Sequence, residues 1–290
     1  MNVIAITNMK GGVTKTTTAT SLAKGLVDKG YKVLIVDADP QANCTDIVAK
    51  IGNKLDEKFL NEFDNDNIKS EQDFLIKLND SLYRGYDIET NLRDVFKYPK
   101  DIKKFIKSSD IENLDYIPSA LSLAETKIKV MLKLDEDNKH ILNEAFGYIK
   151  NDYNYIIIDN APDDSIILTN VINASDLIIV PVKADKGSLK GFIVTMNKIM
   201  KLQQDAMRMN APVDFDMKIL MTMVNNNKND NRVFEIFKKY FGHNVLDTKI
   251  RYRAKPANES SMANNYLIDS KLNVGYELKR LVDEIEEYFK

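Results

Sequence analysis

The sequence predicts an α/β fold: a doubly wound, mostly parallel sheet with helices on both faces, enlarged by a helical insertion. Three observations carry this expectation. Short runs rich in Val, Ile and Leu recur at 3–7, 32–37, 155–159, 177–182, 218–224 and 245–250, and continuous apolar runs without period-two alternation mark strands covered on both faces. Helix-length segments separate these runs, and such alternation favours parallel crossover units. With 290 residues, 44% of them hydrophobic, the chain is long enough to bury a core of this kind as one domain.

The helical period is visible between the strands. Ala19, Leu22, Ala23, Leu26 and Val27 follow i, i+3, i+4, i+7, i+8, with Gly30 where a C-terminal cap belongs. Leu189, Phe192, Ile193, Met196 and Met200 make a second stripe. Val233, Ile236, Phe237, Tyr240 and Phe241, closed by Gly242, make a third, and Leu278, Leu281, Val282, Ile285 and Phe289 a fourth. The stretch of about 53–115 breaks the rhythm. It is rich in Asp, Glu, Lys and Asn, yet Phe59, Phe63, Phe74, Leu75 and Leu78 are spaced for amphipathic helices, so it is read as a helical insertion; a flexible acidic linker is the alternative.

Charge and cysteine usage bound the function. Lys plus Arg total 41 against 43 Asp plus Glu, a net charge of −2, so any contact with a polyanion must be local. The single cysteine, Cys44, excludes an internal disulfide and a Cys-x-x-Cys site and fits a reducing cytosol. The first residues lack a signal-peptide pattern, and no window approaches the roughly 18 apolar residues of a membrane span. A soluble, cytoplasmic protein is expected.

The most informative residues are Asn8-Met9-Lys10-Gly11-Gly12-Val13-Thr14-Lys15-Thr16-Thr17, between the first strand and the first helix. Two glycines let the backbone wrap a phosphate with its N–H groups inward, and the helix that follows aims its positive end at the same point. Lys15 is placed to neutralise the β and γ phosphates, and the Thr16 hydroxyl to ligate Mg²⁺. A plain Walker A pattern would have glycine at positions 9 and 14, where Met9 and Thr14 stand. Carboxylates belong at neighbouring strand ends, and two such ends exist: Asp37-Ala38-Asp39-Pro40-Gln41 and Ile156-Ile157-Ile158-Asp159-Asn160-Ala161-Pro162.

The turn resembles the deviant Walker motif Lys-Gly-Gly-x-x-Lys-Thr of ParA/MinD-type P-loop ATPases, and the resemblance runs through most of the chain outside the insertion. Ile117-Pro118-Ser119, Leu123-Ala124-Glu125, Val180-Pro181-Val182, Leu189-Lys190-Gly191 and the segment from Leu220 to Asn225 all match. The resemblance implies ATP and Mg²⁺ as cofactors, slow ATP hydrolysis, and a fold of the P-loop NTPase type. It implies that Lys10, Gly11, Gly12, Val13, Thr14, Lys15, Thr16 and Thr17 hold the nucleotide, with Lys10 reaching a partner subunit's ATP. Asp39 is then expected to orient the attacking water; Thr16, Asp37 and Asp159 form the Mg²⁺ set. Asn225 is carried over to the adenine, with Asn226 and Asn227 equally placed. Ala161 stands where relatives have a first proline.

The same resemblance implies an ATP-dependent homodimer that binds DNA without reading sequence, stimulated by a ParB-like centromere-binding protein and associated with the nucleoid. Lys249, Arg251, Arg253 and Lys255 alternate with uncharged residues and would share one side of an extended chain; Lys228 and Arg232 could join them, and a solvated edge is the alternative. No helix-turn-helix fits before Val3, so repression of its own promoter is not expected, and of plasmid and chromosome as cargo the plasmid is the expectation. A MinD-like membrane ATPase that positions cell-division proteins is the competing reading. It needs a basic amphipathic C-terminal helix, whereas this tail carries Asp283, Glu284, Glu286 and Glu287. An iron–sulfur carrier on the same fold needs more cysteines than Cys44 supplies.

Overall fold

The computed structural model describes residues 1–50, 61, 63, 68–82, 90–120, 122–124, 136–208, 215–225, 227–251 and 266–290. Its centre is an eight-stranded sheet made of β1 (Asn2–Ile6), β2 (Val33–Ala38), β3 (Lys107–Ser108), β4 (Leu114–Ile117), β5 (Tyr155–Asn160), β6 (Leu177–Val182), β7 (Asp216–Val224) and β8 (Val245–Arg251). The order across the sheet is β3-β4-β2-β5-β1-β6-β7-β8. Every pairing is parallel except β3 with β4. From β1 the chain winds outwards to β2 and β4, returns to β5, and then crosses to β6, β7 and β8. The strand order therefore reverses around β1, and a crevice for ligand belongs at the carboxyl ends there.

The helices are α1 (Lys15–Asp28), α2 (Asn43–Val48), α3 (Glu71–Leu82), α4 (Leu92–Lys97), α5 (Ile141–Gly147), α6 (Ile166–Asn173), α7 (Lys186–Arg208), α8 (Lys228–Phe241) and α9 (Asn273–Tyr288). Along the central strands successive residues serve different faces. Ile4, Ile6, Ile35, Ile157 and Ile179 pack with Leu22 and Leu26 of α1 and Leu278, Leu281 and Ile285 of α9. Val3, Ala5, Val36, Ile156 and Ile158 face α4 and α5 through Val95, Phe96, Leu142 and Phe146. Farther along the same side Ile178, Val180 and Met221 meet Phe192 of α7 and Phe234 and Phe237 of α8. Gly30 caps α1 with φ 89° and its N–H 2.8 Å from the Val27 carbonyl, the backbone conformation that glycine adopts without a steric cost.

The stretch 53–115 divides into parts of different kind. Residues 53–60, 62, 64–67 and 83–89 lie outside the described residues. Phe63 meets Phe74 of α3 edge to face, with centroids 5.6 Å apart, and α3 leaves Leu75 and Ile76 exposed. Beyond residue 90 the chain has rejoined the main body: Leu92, Val95, Phe96 and Ile102 are core residues, and β3 and β4 extend the sheet. The strands appear where helix was expected because β4 is only four residues long and includes Asp115, whose carboxylate accepts from the Tyr153 hydroxyl at 2.8 Å. Periodicity has nothing to read in so short a run.

Candidate nucleotide site

The glycine-rich turn lies at the carboxyl end of β1, and buried polar side chains fasten it there. Asn8 is 0% exposed; its amide donates to the Pro181 carbonyl at 2.7 Å and its carbonyl oxygen accepts from Lys10 N at 2.9 Å. Met9 N donates to Thr195 Oγ1 at 3.0 Å, and Thr222 Oγ1 donates to the Val13 carbonyl at 3.2 Å. The turn is thus tied to β6, α7 and β7 before any ligand arrives, which is preorganisation. Gly12 has φ 73°, and Thr14 adopts φ 67°, ψ 28°. A β-branched residue in the left-handed region carries local strain of about 1–2 kcal/mol, and Thr14 stands where a plain Walker A pattern has glycine.

Thr14 occupies the N-cap of α1 without a side-chain cap hydrogen bond, and the first turn holds no acidic residue. The positive end of α1 is therefore open to an anion. Lys15, 8% exposed, donates to the Lys10 carbonyl at 3.1 Å. Burial lowers its pKa, while Asp159, Asp39 and Asp163 pull it up. Phosphate oxygens would supply the countercharge that a desolvated ammonium needs.

Opposite stands a pair of carboxylates. Asp37 and Asp159 are register partners on β2 and β5, and both are buried. Thr16 Oγ1 donates to Asp159 Oδ2 at 2.6 Å, but Asp159 Oδ1 is buried without a hydrogen-bond partner. Burial raises the Asp159 pKa to about 7 against the pull of Thr16 and Lys15. Asp37 is raised as well, by burial first and then by Asp159. Two desolvated carboxylates beside a threonine hydroxyl suit a divalent cation. Among the described residues no group of three or more His, Cys, Asp or Glu could hold a metal, so a cation here would complete its shell with phosphate oxygens and water, as Mg²⁺ does.

The two acids differ in what remains free. Asp37 Oδ2 accepts from Thr45 N at 2.8 Å and Thr45 Oγ1 at 2.7 Å, and Oδ1 from Asp39 N at 3.1 Å. Its carboxylate organises the loop after β2. Thr45 Oγ1 also accepts from Ser119 N at 3.0 Å, which links that loop to the end of β4. Asp39 is half-buried, and its Oδ1 accepts from Gln41 N at 2.9 Å. It lies within electrostatic reach of both Lys15 and Asp159.

The remaining sequence candidates are distributed as follows. Asn225 is exposed at the end of β7, with its N–H 2.6 Å from Asp230 Oδ2; Asn227 caps α8 by accepting from Asp230 N at 2.8 Å, and Asn226 lies outside the described residues. Lys228 and Arg232 are exposed on α8. Lys249 places Nζ 3.8 Å from the Phe234 ring centroid, and Arg251 donates its backbone N–H to Glu277 Oε2 at 2.8 Å and forms an ion pair from Nε to Oε1 at 2.7 Å. These two are held by α8 and α9 respectively rather than standing as one free stripe. Arg253 and Lys255 lie outside the described residues. Sequence reasoning missed Asn8, Thr45, Thr195 and Thr222 as fasteners of the site; a signal was available only for Asn8 and Thr222, polar side chains at or near the ends of apolar runs.

The acidic C-terminal helix is internally engaged. Glu284 accepts from Asp247 N and Thr248 N at 2.7 and 3.0 Å, and with Glu277 it covers the outer edge of β8. Lys29 bridges Asp283 and Glu286, each at 2.6 Å. No helix among the described residues is long and apolar enough to cross a membrane.

Comparison with known proteins agrees with this geometry. Residues 1–213 match the AAA domain family model AAA_31. The sporulation initiation inhibitor protein Soj of Bacillus subtilis is 30% identical over 249 residues, 86% of this chain and 83% of Soj. A putative plasmid partition protein of Borrelia burgdorferi B31, solved with AMPPNP, superposes with a TM-score of 0.70 at 24% identity, covering 99% of this chain and 98% of that one. A Cyanothece McdA variant in complex with ATP gives a TM-score of 0.74 at 18% identity, covering 100% and 96%.

Proposed function

We propose, from the premise that this chain belongs to the AAA_31 family of AAA domains and is a ParA/MinD-type P-loop ATPase, that it is a DNA-partition ATPase working as an ATP-dependent dimer. One observation carries the reading: an open helix N-terminus and the desolvated Lys15 face a buried carboxylate pair with a free oxygen on Asp159.

In this reading the N–H groups of Gly11 to Thr17 cradle the phosphates, and Lys15 neutralises the β and γ oxygens. Thr16, Asp159 and, behind them, Asp37 hold Mg²⁺, which when bound offsets charge on the phosphate oxygens. Asp39, at the mouth of the site, orients the attacking water and accepts its proton. Asn225 borders the adenine. Lys10 crosses to a second protomer's triphosphate, so two chains close only around ATP. The closed dimer binds DNA non-specifically; Lys228 and Arg232 are its best-placed exposed cations. A ParB-like centromere-binding protein stimulates hydrolysis, ADP forms lose the dimer, and DNA is released, on a nucleoid in the cytoplasm and with a plasmid as cargo. The membrane-positioning alternative finds no support in α9, whose apolar stripe packs in the core.

DNA mobility with ATP, ADP and no nucleotide tests this on the wild type and Lys10→Ala. Binding should require ATP, ignore sequence and weaken steeply with salt. Equal binding by the ADP form, or full binding by Lys10→Ala, refutes the dimer switch; pelleting with anionic vesicles in ATP restores the membrane reading.

A further inference from the structure

The first turns of α7 run beside the glycine-rich turn, and two glycines there, Gly187 and Gly191, lie one helical turn apart on the same face. Glycine inside a helix is destabilising, and neither position has a positive φ, so backbone conformation does not require it. Space does. A Cβ at Gly191 would sit 2.6 Å from Asn8 Oδ1, 2.7 Å from Lys10 Cβ and 2.9 Å from Lys10 N. A Cβ at Gly187 would sit 3.3 Å from Lys10 Cε, 3.3 Å from Asp185 Oδ1 and 3.9 Å from Lys10 Nζ.

The lysine stem therefore lies along α7, from Gly191 at its root to Gly187 near its tip. The root is fixed from both sides. Asn8 Oδ1 holds Lys10 N, and Thr195 Oγ1 accepts from Met9 N while donating to the Gly191 carbonyl at 2.9 Å. The carbonyl of Lys10 takes the Lys15 ammonium at 3.1 Å, so backbone and side chain serve different purposes: one braces the chain's own phosphate-binding lysine, the other rests on α7, exposed to solvent.

We propose that Gly191, assisted by Gly187, is a positioning residue for Lys10: the side-chain-free trough they form seats the lysine stem and presents its ammonium to a neighbouring protomer. This rests on the reading that Lys10 reaches a partner's nucleotide. Gly191 touches neither phosphate nor metal in that reading; it acts through Lys10.

The test is a double-mutant cycle on the full chain with two readouts, affinity for a fluorescent ATP analogue and ATP-dependent dimerisation by sedimentation. Gly187→Ala adds a methyl that meets only the end of Lys10 and the Asp185 side chain; it should keep nucleotide affinity within about threefold and weaken dimerisation at least about threefold. Combined with Lys10→Ala, which removes the lysine atoms that methyl meets, it should add nothing to the loss of Lys10→Ala alone. Gly191→Ala, whose methyl also meets Asn8 Oδ1 and Lys10 N, should weaken dimerisation further and, because it presses on the turn itself, nucleotide affinity with it. Wild-type dimerisation by either glycine variant, or effects that multiply in the Gly187→Ala double variant, would overturn the proposal. If Lys10→Ala itself dimerises normally, the functional reading fails and this inference with it, whereas a defect in Lys10→Ala alone defeats only the role of the glycines.

Discussion

Replacing Asp159 with Asn should make the ligand-free protein more stable while removing its response to magnesium. Asp159 is 1% exposed and one of its oxygens has no hydrogen-bond partner. Its pKa rises from 3.8 to about 7, mainly through burial. The folded chain thus holds the proton up to about pH 7, while the unfolded chain releases it near 3.8. Stability is lost as pH rises between these values and is level above them. Each factor of ten in protonation is worth ~1.4 kcal/mol, so the ionised carboxylate costs the apo fold up to ~4 kcal/mol at pH 8. Asn keeps an acceptor for the Thr16 hydroxyl and carries no charge; it also relieves Asp37, whose pKa is raised partly by Asp159. Thermal unfolding in EDTA should give the Asp159→Asn variant a Tm higher by roughly 4–8 °C at pH 8 and by only roughly 2–3 °C at pH 5, where the folded carboxyl is neutral and ~1.6 kcal/mol of the loss has accrued through ionisation of the unfolded chain. Addition of Mg²⁺ and ATP should raise the wild-type Tm more than that of the variant. A variant that melts at or below wild type at pH 8, or gains equally at both pH values, refutes the argument that a desolvated charge is stored here.

Thr45→Val removes both the hydroxyl donor to Asp37 and the acceptor for Ser119 N, so the Tm at pH 8 should fall by roughly 2–6 °C, for ~1–3 kcal/mol; an unchanged melt means that network is not formed. Thr14→Gly relieves ~1–2 kcal/mol of left-handed strain and gives back ~0.5–1 kcal/mol of chain entropy, so the melt should rise by roughly 1–2 °C with ATP affinity no weaker, as titration of a fluorescent analogue would check. Glu284→Ala strips the acceptor from Asp247 N and Thr248 N, and amide exchange at those two positions should speed up at least about tenfold if the bonds are worth ~1.4 kcal/mol or more. Lys228→Ala and Arg232→Ala should each weaken ATP-dependent DNA binding and shallow its salt slope by about 0.9 if that residue meets a phosphate. Lys249→Ala should act instead through stability, by uncovering the Phe234 ring.

What the sequence made legible had strong local physics behind it. All six apolar runs are strands, because a strand covered on both faces needs unbroken hydrophobicity, and the phosphate-binding turn is recognisable from its glycines and lysines together with the strand before and the helix after. The stretch 90–117 was not legible: α4 is only six residues long, and β4 borrows its stability from β2 on one side, the two-residue β3 on the other and the Tyr153 hydroxyl on Asp115. Neither leaves a period. Site residues divide in the same way. Lys15, Thr16 and Asp159 announce themselves by their place at element ends, whereas Thr45 and Thr195 act through partners at separations of 74 and 186 residues, and no local pattern encodes a partner that distant.

The cationic stripe shows a further limit of pattern. Alternation in 249–255 correctly anticipates an extended chain as far as Arg251, but which cations stay free is decided by the neighbours. Phe234 claims Lys249 and Glu277 claims Arg251, both supplied by helices at other points in the sequence. The acidic character of α9 has the same origin. Glu277 and Glu284 accept N–H groups along the last strand, where an unpaired edge would invite pairing with another chain, while Asp283 and Glu286 share Lys29. Those acids answer a structural need of the sheet, and they accordingly say less about the electrostatics of a partner than their number suggests. With a net charge of −2, a single protomer offers DNA little field. Affinity that depends on ATP follows naturally if closure of two protomers is what sets the exposed cations of both α8 helices along one duplex; under the proposed function the side chain that would make that closure possible is Lys10, laid out on α7.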